Sequence, residues 1–483
     1  MCKSRYVTIK EATMIKSLRT TEHRIPEPVL LKDIDFPVPF YEGLQYNAPA
    51  RGVWNIVHTG MLIPESHQVY VCAQGCLRGV ILTAAEMNET ERMSWVALRE
   101  EDMWNGEMEK RVIEGTAHIV DQMDKHPRCI LIYLSCMHMF EGCDFTMITD
   151  ELSEMYPDID FVECFMIPTM RKTMSPDSMM KLSLYESVKK QNKDENLVAI
   201  IGCNLPNDKK SDLVSLIEMS GKNIWDITDC KTYDEYLKLG AAGTAISYLS
   251  VADASGKQLS ERLGLKWLRA PLRFNEQKLD ENLYMIGESL GLEHAVIKEW
   301  IEECKTAAGS ALERAHDLIG DTEIAIDYTA YPYILELSEL LIKYGFNVKR
   351  IYSDNFPADE RDAFERIIAD EKCADIMIYP TNDPAMRFAA GCGCDLNSDA
   401  GLCKTGIDAG SAADGADKMI LAIGQKAAYF TGTEHFVDIV EGGGCYGYQA
   451  VEKLSELLID AYRNPKETKK IISHKGWGCE SCL

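Results

Sequence analysis

The sequence predicts an α/β protein in which parallel sheets are flanked by helices. Short apolar runs alternate along the chain with amphipathic segments of helical period, which is the pattern of strands joined by crossover helices. The 483 residues exceed the length of one ordinary domain. Apolar residues make up 46% of the chain, which is enough to bury several sizeable cores.

Eight apolar runs have the length and composition of buried strands. In chain order they are HQVYVCA, RCILIYLS, DFVECFMI, NLVAIIGC, TAISYLSV, TEIAIDYT, NVKRIYSD and ADIMIYP. Helices are predicted where apolar residues recur at helical spacing, as in DFTMITDELSEMY, KSDLVSLIEMSG, KQLSERLGL, ILELSELLIKYG and AVEKLSELLIDAYRN. In parallel sheets, ligands bind at the carboxyl ends of the strands. The residues that follow these runs are therefore the first candidates for functional residues.

The chain is expected to divide into an arm, three α/β units and a tail. Residues 1–50 are irregular and rich in proline, and we expect them to wrap on the body of the protein or on a partner. The three units are expected at 51–185, 186–290 and 291–470. A glycine- and cysteine-rich insertion at 388–417 interrupts the third unit, and a short cysteine-containing tail follows at 471–483.

Charge and composition exclude several classes of function. The formal net charge of −25 argues against binding to nucleic acid or to an anionic membrane, because both require basic surfaces. The first residues lack the apolar region of a signal peptide, and no apolar run approaches the ~18 residues of a membrane span. We therefore expect a cytoplasmic protein whose 17 cysteines are more often free or metal-binding than paired in disulfides.

Two pairs of cysteines lie where a predicted strand gives way to a predicted helix. Cys72 and Cys76 flank the junction in YVCAQGCLRG, where the start of the helix is expected to lower the thiol pKa. Cys136 and Cys143 flank a second junction, and the residues MHMFEG between them are expected to form a loop. Strand ends of one parallel sheet can bring such thiols together around iron, but buried structural cysteines are an equally open alternative at this point.

Further cysteines lie in the third unit and in the tail. Cys392, Cys394 and Cys403 lie in the glycine-rich insertion, and Cys445 follows in GGGCYGY. Glycine lets the backbone approach a ligand closely, and clustered thiols bind soft metals. We therefore predict a second metal or substrate site here. The alternative is that these cysteines have no function. The CxxC at positions 479–482 is a redox pair, half a metal site or a tail without function.

Several common catalytic motifs are absent from the sequence, so the reactions that depend on them have no support. The phosphate-binding pattern G-x-x-x-x-G-K-[ST] does not occur, so a separate protein must hydrolyse ATP if ATP drives the reaction. The hydrolase patterns G-x-S-x-G and H-E-x-x-H do not occur either. His138 follows Cys136 by two residues, and its ring could donate a hydrogen bond to a cluster sulfide.

Several segments resemble the nitrogenase component 1 superfamily, which includes nitrogenase α and β subunits, cofactor-assembly scaffolds and the dark-operative protochlorophyllide reductase. They are ARGVWNIVHTGMLIPESHQVYVCAQGC, REEDMWNGEMEKRVIEG, ILIYLSCMHMFEGCDFTMITDEL, ALERAHDLIGDTEIAIDYTAYPYILELSELLIKYGFNV and GGGCYGYQAVEKLSELLIDAYRNP. The likeness spans about Gly43 to Pro465 and indicates a divergent, nitrogenase-like member. It implies three Rossmann-like domains and a homologous sister subunit, in a homodimer, a heterodimer or a tetramer.

The resemblance also implies an iron–sulfur cluster, of [4Fe–4S] type, at a subunit interface. The second and third cysteine ligands of the family map to Cys76 and Cys136. The first should lie near Gln45 and Tyr46, where this chain has no cysteine. We therefore expect one of three arrangements. Cys72 or Cys143 replaces the missing ligand, the partner subunit supplies it, or the cluster is smaller than the P-cluster of the family.

The ligands of the nitrogenase active-site cofactor are not evident in this chain. Their positions fall near Tyr248 and Val437, neither of which is the cysteine or histidine that the family uses. The resemblance therefore implies a substrate other than dinitrogen. His435, Tyr248 and Cys445 are candidates for the catalytic proton donor by position alone.

The function implied by the resemblance is that of an iron–sulfur subunit of a nitrogenase-like reductase. Such an oxidoreductase works under anaerobic conditions and receives low-potential electrons from an ATP-hydrolysing iron protein. Two alternatives stay open: a scaffold on which a metallocluster is assembled, and a structural partner subunit whose sister chain performs the chemistry.

Overall fold

The computed structural model describes residues 26–40, 48, 56–167, 174–389 and 419–473. Within these residues the chain forms three largely parallel sheets with helices on their faces, so the α/β fold class is confirmed. Every one of the eight apolar runs that predict strands contains a strand of these sheets. None of the described helices combines the length and the apolar character that crossing a bilayer requires.

The described strands are numbered in chain order. They are β1 (Val29–Leu30), β2 (Ser66–Cys72), β3 (Met93–Ala97), β4 (Cys129–Ser135), β5 (Asp160–Met166), β6 (Asp194–Ile200), β7 (Asn223–Asp226), β8 (Ala242–Ser247), β9 (Lys266–Arg269), β10 (Glu323–Asp327), β11 (Asn347–Tyr352), β12 (Met377–Tyr379), β13 (Ile420–Ile423) and β14 (Phe436–Val437).

The described α-helices are numbered in the same way. They are α1 (Ile56–Met61), α2 (Gln74–Glu86), α3 (Glu100–Trp104), α4 (Met108–Asp121), α5 (Cys136–Glu141), α6 (Phe145–Met155), α7 (Pro176–Ser183), α8 (Asp212–Met219), α9 (Tyr233–Leu237), α10 (Asp253–Leu263), α11 (Glu276–Leu290), α12 (His294–Ile319), α13 (Ile334–Lys343), α14 (Arg361–Ala369), α15 (Gln425–Thr431), α16 (Tyr448–Arg463) and α17 (Thr468–Ser473).

Strand order divides the sheets into one for each expected unit. The first sheet has the order β3-β2-β4-β5, the second β7-β6-β8-β9 and the third β1-β12-β11-β10-β13-β14. Neighbouring strands are parallel except β1, which pairs antiparallel with β12. Residues 26–40 of the expected arm therefore lie on the third sheet, where Phe36 also stacks on Phe364 at 4.9 Å. The unit boundaries at 185 and 290 stay predictions.

The central strands of the first sheet are buried on both faces. Every residue of β2 and β4 is buried, which explains the apolar runs VYVC in β2 and CILIYL in β4. Tyr70 and Tyr133 lie on one face with their rings stacked at 4.2 Å, while Val69 and Val71 enter the core on the other face. Helices cover both faces, so the carboxyl edge of this sheet is the place where its residues become accessible.

A buried ion-pair group joins the segment after β9 to the third unit. The Arg273 guanidinium contacts both oxygens of Glu336 on α13, and it also donates to Asp359 at 2.6 Å. Lys278 on α11 donates to Glu336 at 3.1 Å. The Glu336 carboxylate is fully buried, and its desolvation is compensated by these cations together with the backbone N–H groups of Phe274 and Asn275.

We expect the substitution Glu336→Gln to lower the free energy of unfolding by about 3 to 5 kcal/mol, because it leaves a buried guanidinium without its main countercharge. Urea-induced unfolding followed by circular dichroism measures this. As a control, Glu365→Gln removes an exposed partner of Arg361 and should change the stability by less than about 1 kcal/mol. Equal effects of the two substitutions would contradict the role of the buried group.

Candidate functional site

The parallel pairing of β2 with β4 brings two of the predicted cysteines to one edge of the first sheet. Val71 lies opposite Leu134, so Cys72 ends β2 at the level where β4 ends, and Cys136 follows directly. Cys76 lies in the first turn of α2, which begins after β2. Cys72 is buried, Cys136 is half-buried and Cys76 is exposed, so these thiols span the boundary between core and surface.

The side chains of Cys72, Cys76 and Cys136 lie close enough to interact electrostatically. The pKa of the Cys72 thiol is raised to about 12, first by burial and then by negative charge on Cys76 and on Cys136. The expectation that the start of the helix lowers the thiol pKa is therefore wrong for Cys72, because this side chain belongs to the buried strand end. The structure thus groups these three cysteines.

Cys143 has different charged neighbours from the group formed by Cys72, Cys76 and Cys136. It lies between α5 and α6, and burial raises its pKa to about 11, with Glu109 and Glu141 adding to the effect. Its backbone N–H donates to the carbonyl of His138 at 3.0 Å. Of the two residues predicted as replacements for the missing family ligand, the structure groups Cys72 with the Cys76–Cys136 pair.

The segment between Cys136 and Cys143 forms a helix, and the prediction of a loop there is wrong. The backbone N–H of Ser135 donates to His138 Nδ1 at 3.1 Å, which stabilises the first turn of α5. Gly142 ends the helix with a φ of 72°, a conformation that glycine adopts without steric cost. Cys136 is therefore held at the first position of a helix rather than in an irregular loop.

His138 presents a buried hydrogen-bond donor next to these thiols in the chain. Burial lowers its pKa to about 4, so the ring is neutral. Because Nδ1 accepts a hydrogen bond from Ser135, the ring hydrogen lies on Nε2. Within the described part of the chain Nε2 has no hydrogen-bond partner, although a buried donor without an acceptor costs about 1–3 kcal/mol. An inorganic sulfide is an acceptor of the required kind.

Thiolates are the ligands that iron–sulfur clusters use, so the donor types at this edge fit such a cluster. In the described ranges, no group of three or more His, Cys, Asp or Glu side chains is arranged to hold one ion. A [4Fe–4S] cluster binds each thiolate on a different iron atom, so its ligands lie farther apart than those of a single ion. Soft thiolates and a spare N–H donor are the chemistry that such a cluster requires.

Two of the predicted proton-donor candidates lie together, and both are buried. Tyr248 follows β8, and its ring lies 5.5 Å from that of Tyr446, the neighbour of Cys445. The Cys445 Sγ lies 3.8 Å from the carbonyl oxygen of Gly443 and 4.0 Å from an Asp208 carboxylate oxygen. Burial raises the pKa of Cys445 to about 12, and the charge of Asp208 adds to this effect.

The third candidate, His435, lies at a different place. It precedes β14, so it lies at the amino end of a strand, while Cys445 follows that strand. Its Nδ1 is 2.8 Å from the carbonyl oxygen of Ala461 on α16, a contact that fixes the ring against a helix. The role of the half-buried His435 as proton donor stays a prediction.

Several predicted positions lie outside the described residues. They are Cys392, Cys394 and Cys403 of the insertion, Cys479 and Cys482 of the tail, and Gln45 and Tyr46. The second metal site and the role of the terminal CxxC therefore stay predictions.

A polar chain next to Tyr248 escaped the sequence analysis. The Tyr248 hydroxyl donates to Asn207 Oδ1 at 2.9 Å, and Asn207 Nδ2 donates to Asp226 Oδ2 at 2.6 Å. Asn207 lies in the loop after β6, and Asp226 ends β7. Polar residues directly after apolar runs are the signal that could have identified both.

The surface beside the cysteines is unusually apolar. Phe140 on α5 is 72% exposed, and Met139 next to it is also exposed. Both lie on the six-residue helix that begins at Cys136.

Comparisons with known proteins agree with this architecture. A family model described as nitrogenase component 1 type oxidoreductase matches residues 57–396, which is more than half of the chain. A solved structure named "Nitrogenase Cp1 at pH 6.5" has a TM-score of 0.62 at 15% identity, and the match covers 89% of this chain and 95% of that one. Another, named "Nitrogenase Cp1 at pH 5", has a TM-score of 0.51 at 10% identity, with 90% and 92% covered. At these identities the structural likeness shows the fold alone, and no curated protein matches the chain.

The burial of the thiols predicts different reactivities in the iron-free chain. We expect Cys76 to react with iodoacetamide at least about tenfold faster than Cys72, since a pKa of about 12 leaves Cys72 almost entirely protonated at mildly alkaline pH. Mass spectrometry of timed peptide digests measures both rates. In urea the two rates should converge, and equal rates in the folded chain would contradict the arrangement.

Proposed function

Because the chain belongs to the nitrogenase component 1 type oxidoreductase family, we propose that it is the iron–sulfur subunit of a nitrogenase-like reductase. The grouping of Cys72, Cys76 and Cys136 at one sheet edge carries this proposal. The substrate is a molecule other than dinitrogen, since the chain has Tyr248 and Val437 where the family's cofactor ligands map.

In this proposal Cys76, Cys136 and Cys72 are ligands of a [4Fe–4S] cluster. Cys143 or a residue of the sister subunit is the fourth ligand. When bound, such a cluster stores and transfers single electrons at low potential. The protein contributes thiolate charge, the dry environment of Cys72, and a hydrogen bond from His138 Nε2 that stabilises the reduced state.

A homologous sister subunit would complete the site from outside. Cys76 is exposed in the isolated chain, and Phe140 and Met139 expose apolar surface beside Cys136. A second subunit packed on this surface would exclude water from the thiolates, which is what a low-potential cluster requires. The proposed electron donor is an ATP-hydrolysing iron protein, since this chain has no phosphate-binding motif of its own.

We place the substrate near Tyr248 and Cys445. These residues follow strands of the second and third sheets, and domain junctions of this kind favour ligand sites. The hydrogen-bonded chain from Tyr248 through Asn207 to Asp226 gives this region polar groups for orienting a ligand.

Assembly of a metallocluster for delivery to another protein is the second candidate function. The exposed thiol of Cys76 favours it, because an accessible ligand is easily displaced when a cluster is released. Incubation of the iron-loaded chain with an iron-free acceptor separates the two functions. A scaffold transfers its iron, whereas a reductase subunit retains it and is reoxidised by substrate.

Cysteine substitutions test the proposed ligands. We expect Cys76→Ala and Cys136→Ala each to remove most of the iron and the associated EPR signal after anaerobic purification, because each deletes a thiolate ligand. Cys72→Ala should lower the iron content as well. Cys304→Ala, on the long helix α12, is the matched control and should retain wild-type iron and sulfide. Equal iron in all four variants would refute the ligand assignment.

An apolar-to-charged substitution tests the proposed subunit interface. We expect Phe140→Asp to dissociate the oligomer, because a carboxylate in a dry interface costs several kcal/mol. Analytical ultracentrifugation measures the change in mass. Val296→Asp on α12, at a residue that is 44% exposed, is the control and should leave the mass unchanged. An unchanged mass for Phe140→Asp would contradict the proposed interface.

A further inference from the structure

A large open cavity lies at the amino edge of the first sheet, opposite the edge that has the thiols. Its volume is about 940 Å³, which is within the range of roughly 300–1,000 Å³ that small-molecule sites occupy. Its lining includes Ser66 and His67 at the start of β2, Ser94 near the start of β3, and Arg128 directly before β4. Because these strands are parallel, their amino ends meet at this edge.

Arg92 fixes the floor of this cavity. Its Nη2 donates to the carbonyl of Ile63 at 2.7 Å, and its Nε donates to the carbonyl of Ser66 at 3.2 Å. These bonds hold the segment between α1 and β2 and leave 27% of the Arg92 side chain exposed. His67 Nε2 lies 2.9 Å from Ser94 Oγ. Burial, and then the charge of Arg92, lower the pKa of His67 to about 4, so this ring contributes hydrogen bonding rather than charge.

The segment after β7 of the second sheet forms one wall of the cavity. The Tyr233 N–H donates to Glu65 Oε2 at 2.9 Å, and Arg128 Nη2 donates to Asp234 Oδ1 at 3.0 Å. The Arg128 guanidinium also lies over the Tyr233 ring, 5.2 Å from its centroid. These contacts bring Lys231 to the cavity, because it lies two residues before Tyr233. A ligand in the cavity therefore contacts segments of two sheets.

The cavity has an excess of positive charge in an acidic protein. The whole chain has 51 lysines and arginines against 76 acidic residues. The lining reverses this proportion, with the cations Arg92, Lys125, Arg128 and Lys231 and the carboxylates Glu65, Glu91 and Asp124. It also includes three of the ten histidines, which are His67, His118 and His126. A concave surface concentrates the potential of its charges, so this cavity attracts an anion.

Three of these cations are accessible to a ligand. The Lys125 side chain is 88% exposed, and the Glu65 carboxylate oxygen that pairs with it is 4.0 Å away. Lys231 is exposed, and in the described part of the chain no carboxylate forms an ion pair with it. Arg128 forms its ion pair with an exposed carboxylate, a kind of pair that contributes little in water. The described residues include no group of side chains arranged to hold a single metal ion, so the histidines do not indicate a metal site.

The rest of the lining is apolar. Ile119 lies in the last turn of α4, Met123 lies just beyond that helix, and Pro64 and Pro127 belong to the loops before β2 and β4. An inorganic anion would leave this part of the cavity unfilled, so the lining fits a molecule with a charged end and an apolar body. Phosphate groups match the charged end, because they concentrate several negative charges and accept charge-assisted hydrogen bonds from lysine and arginine.

We propose that this cavity binds an organic phosphate with several negative charges, of the class of the nucleoside diphosphates. The phosphate groups pair with Lys125, Arg128 and Lys231, and the organic part packs against Ile119 and Met123. The site goes beyond the proposed function, because it lies at the edge opposite the thiols and needs no iron. A bound ligand holds the segment after β7 against the first sheet.

Isothermal titration calorimetry with ADP, on the full chain in a buffer without phosphate, tests the proposal. We expect one ADP to bind per chain, with an affinity that falls as the salt concentration rises, because salt screens exposed charges. Inorganic pyrophosphate should bind more weakly than ADP, since it leaves the apolar wall uncovered. Adenosine should show no binding, since it lacks the charges.

Substitutions locate the binding in this cavity. Lys231→Ala and Arg128→Ala should each lower the affinity for ADP at least about tenfold, because each removes a charge-assisted hydrogen bond to a phosphate group. Lys238→Ala is the matched control, since it removes the same charge from an exposed lysine just after α9 that does not line the cavity. This variant should bind ADP as the wild type does. Circular dichroism checks that each variant is folded.

Three results would overturn the proposal. Neither ADP nor pyrophosphate binds to the wild type, or Lys231→Ala and Arg128→Ala bind ADP as tightly as Lys238→Ala does. In the third result, pyrophosphate binds as tightly as ADP, which would identify an adventitious ion only. None of these measurements depends on iron or on substrate, so they leave the proposed function to its own tests.

Discussion

The parallel pairing of β2 with β4 is the interaction on which the thiol site depends. Side chains alternate between the two faces of a sheet, so a slip of one residue would move Cys72 into the opposite core. Stacking of Tyr70 on Tyr133 at 4.2 Å fixes the register, and the Tyr133 hydroxyl is anchored to the carbonyl of Ile56 at 3.1 Å. The thiols therefore meet because two aromatic rings on neighbouring strands fix how the strands align.

The fold was largely predictable because its central strands are buried on both faces and contain apolar runs. Several of the strands that the sequence analysis missed lack such runs for physical reasons. In β3, an edge strand, Trp95 is half exposed and the apolar pattern is interrupted. β14 has only two residues. β13 does contain a short apolar run, ILAI, directly after the glycine-rich insertion, and the sequence analysis missed it. Short or half-solvated strands depend on their neighbours more than on their own composition.

The candidate site was predictable only where its residues lie near each other in the chain or end neighbouring strands. Cys72, Cys76 and Cys136 satisfy this condition, and simple strand-end reasoning groups them. Tyr248 and Asp226 do not, because the hydrogen-bonded chain between them passes through Asn207 and depends on how the segments after three different strands pack together.

The thiols and the polar chain at Tyr248 depend on different sheets. Cys72 and Cys136 need only the pairing of β2 with β4 in the first sheet. Tyr248 and Asn207 follow strands of the second sheet, and the ring of Tyr248 packs against Tyr446, which follows β14 of the third. Loosening the packing between the second and third sheets would therefore disturb the surroundings of Tyr248 before it disturbs the thiols.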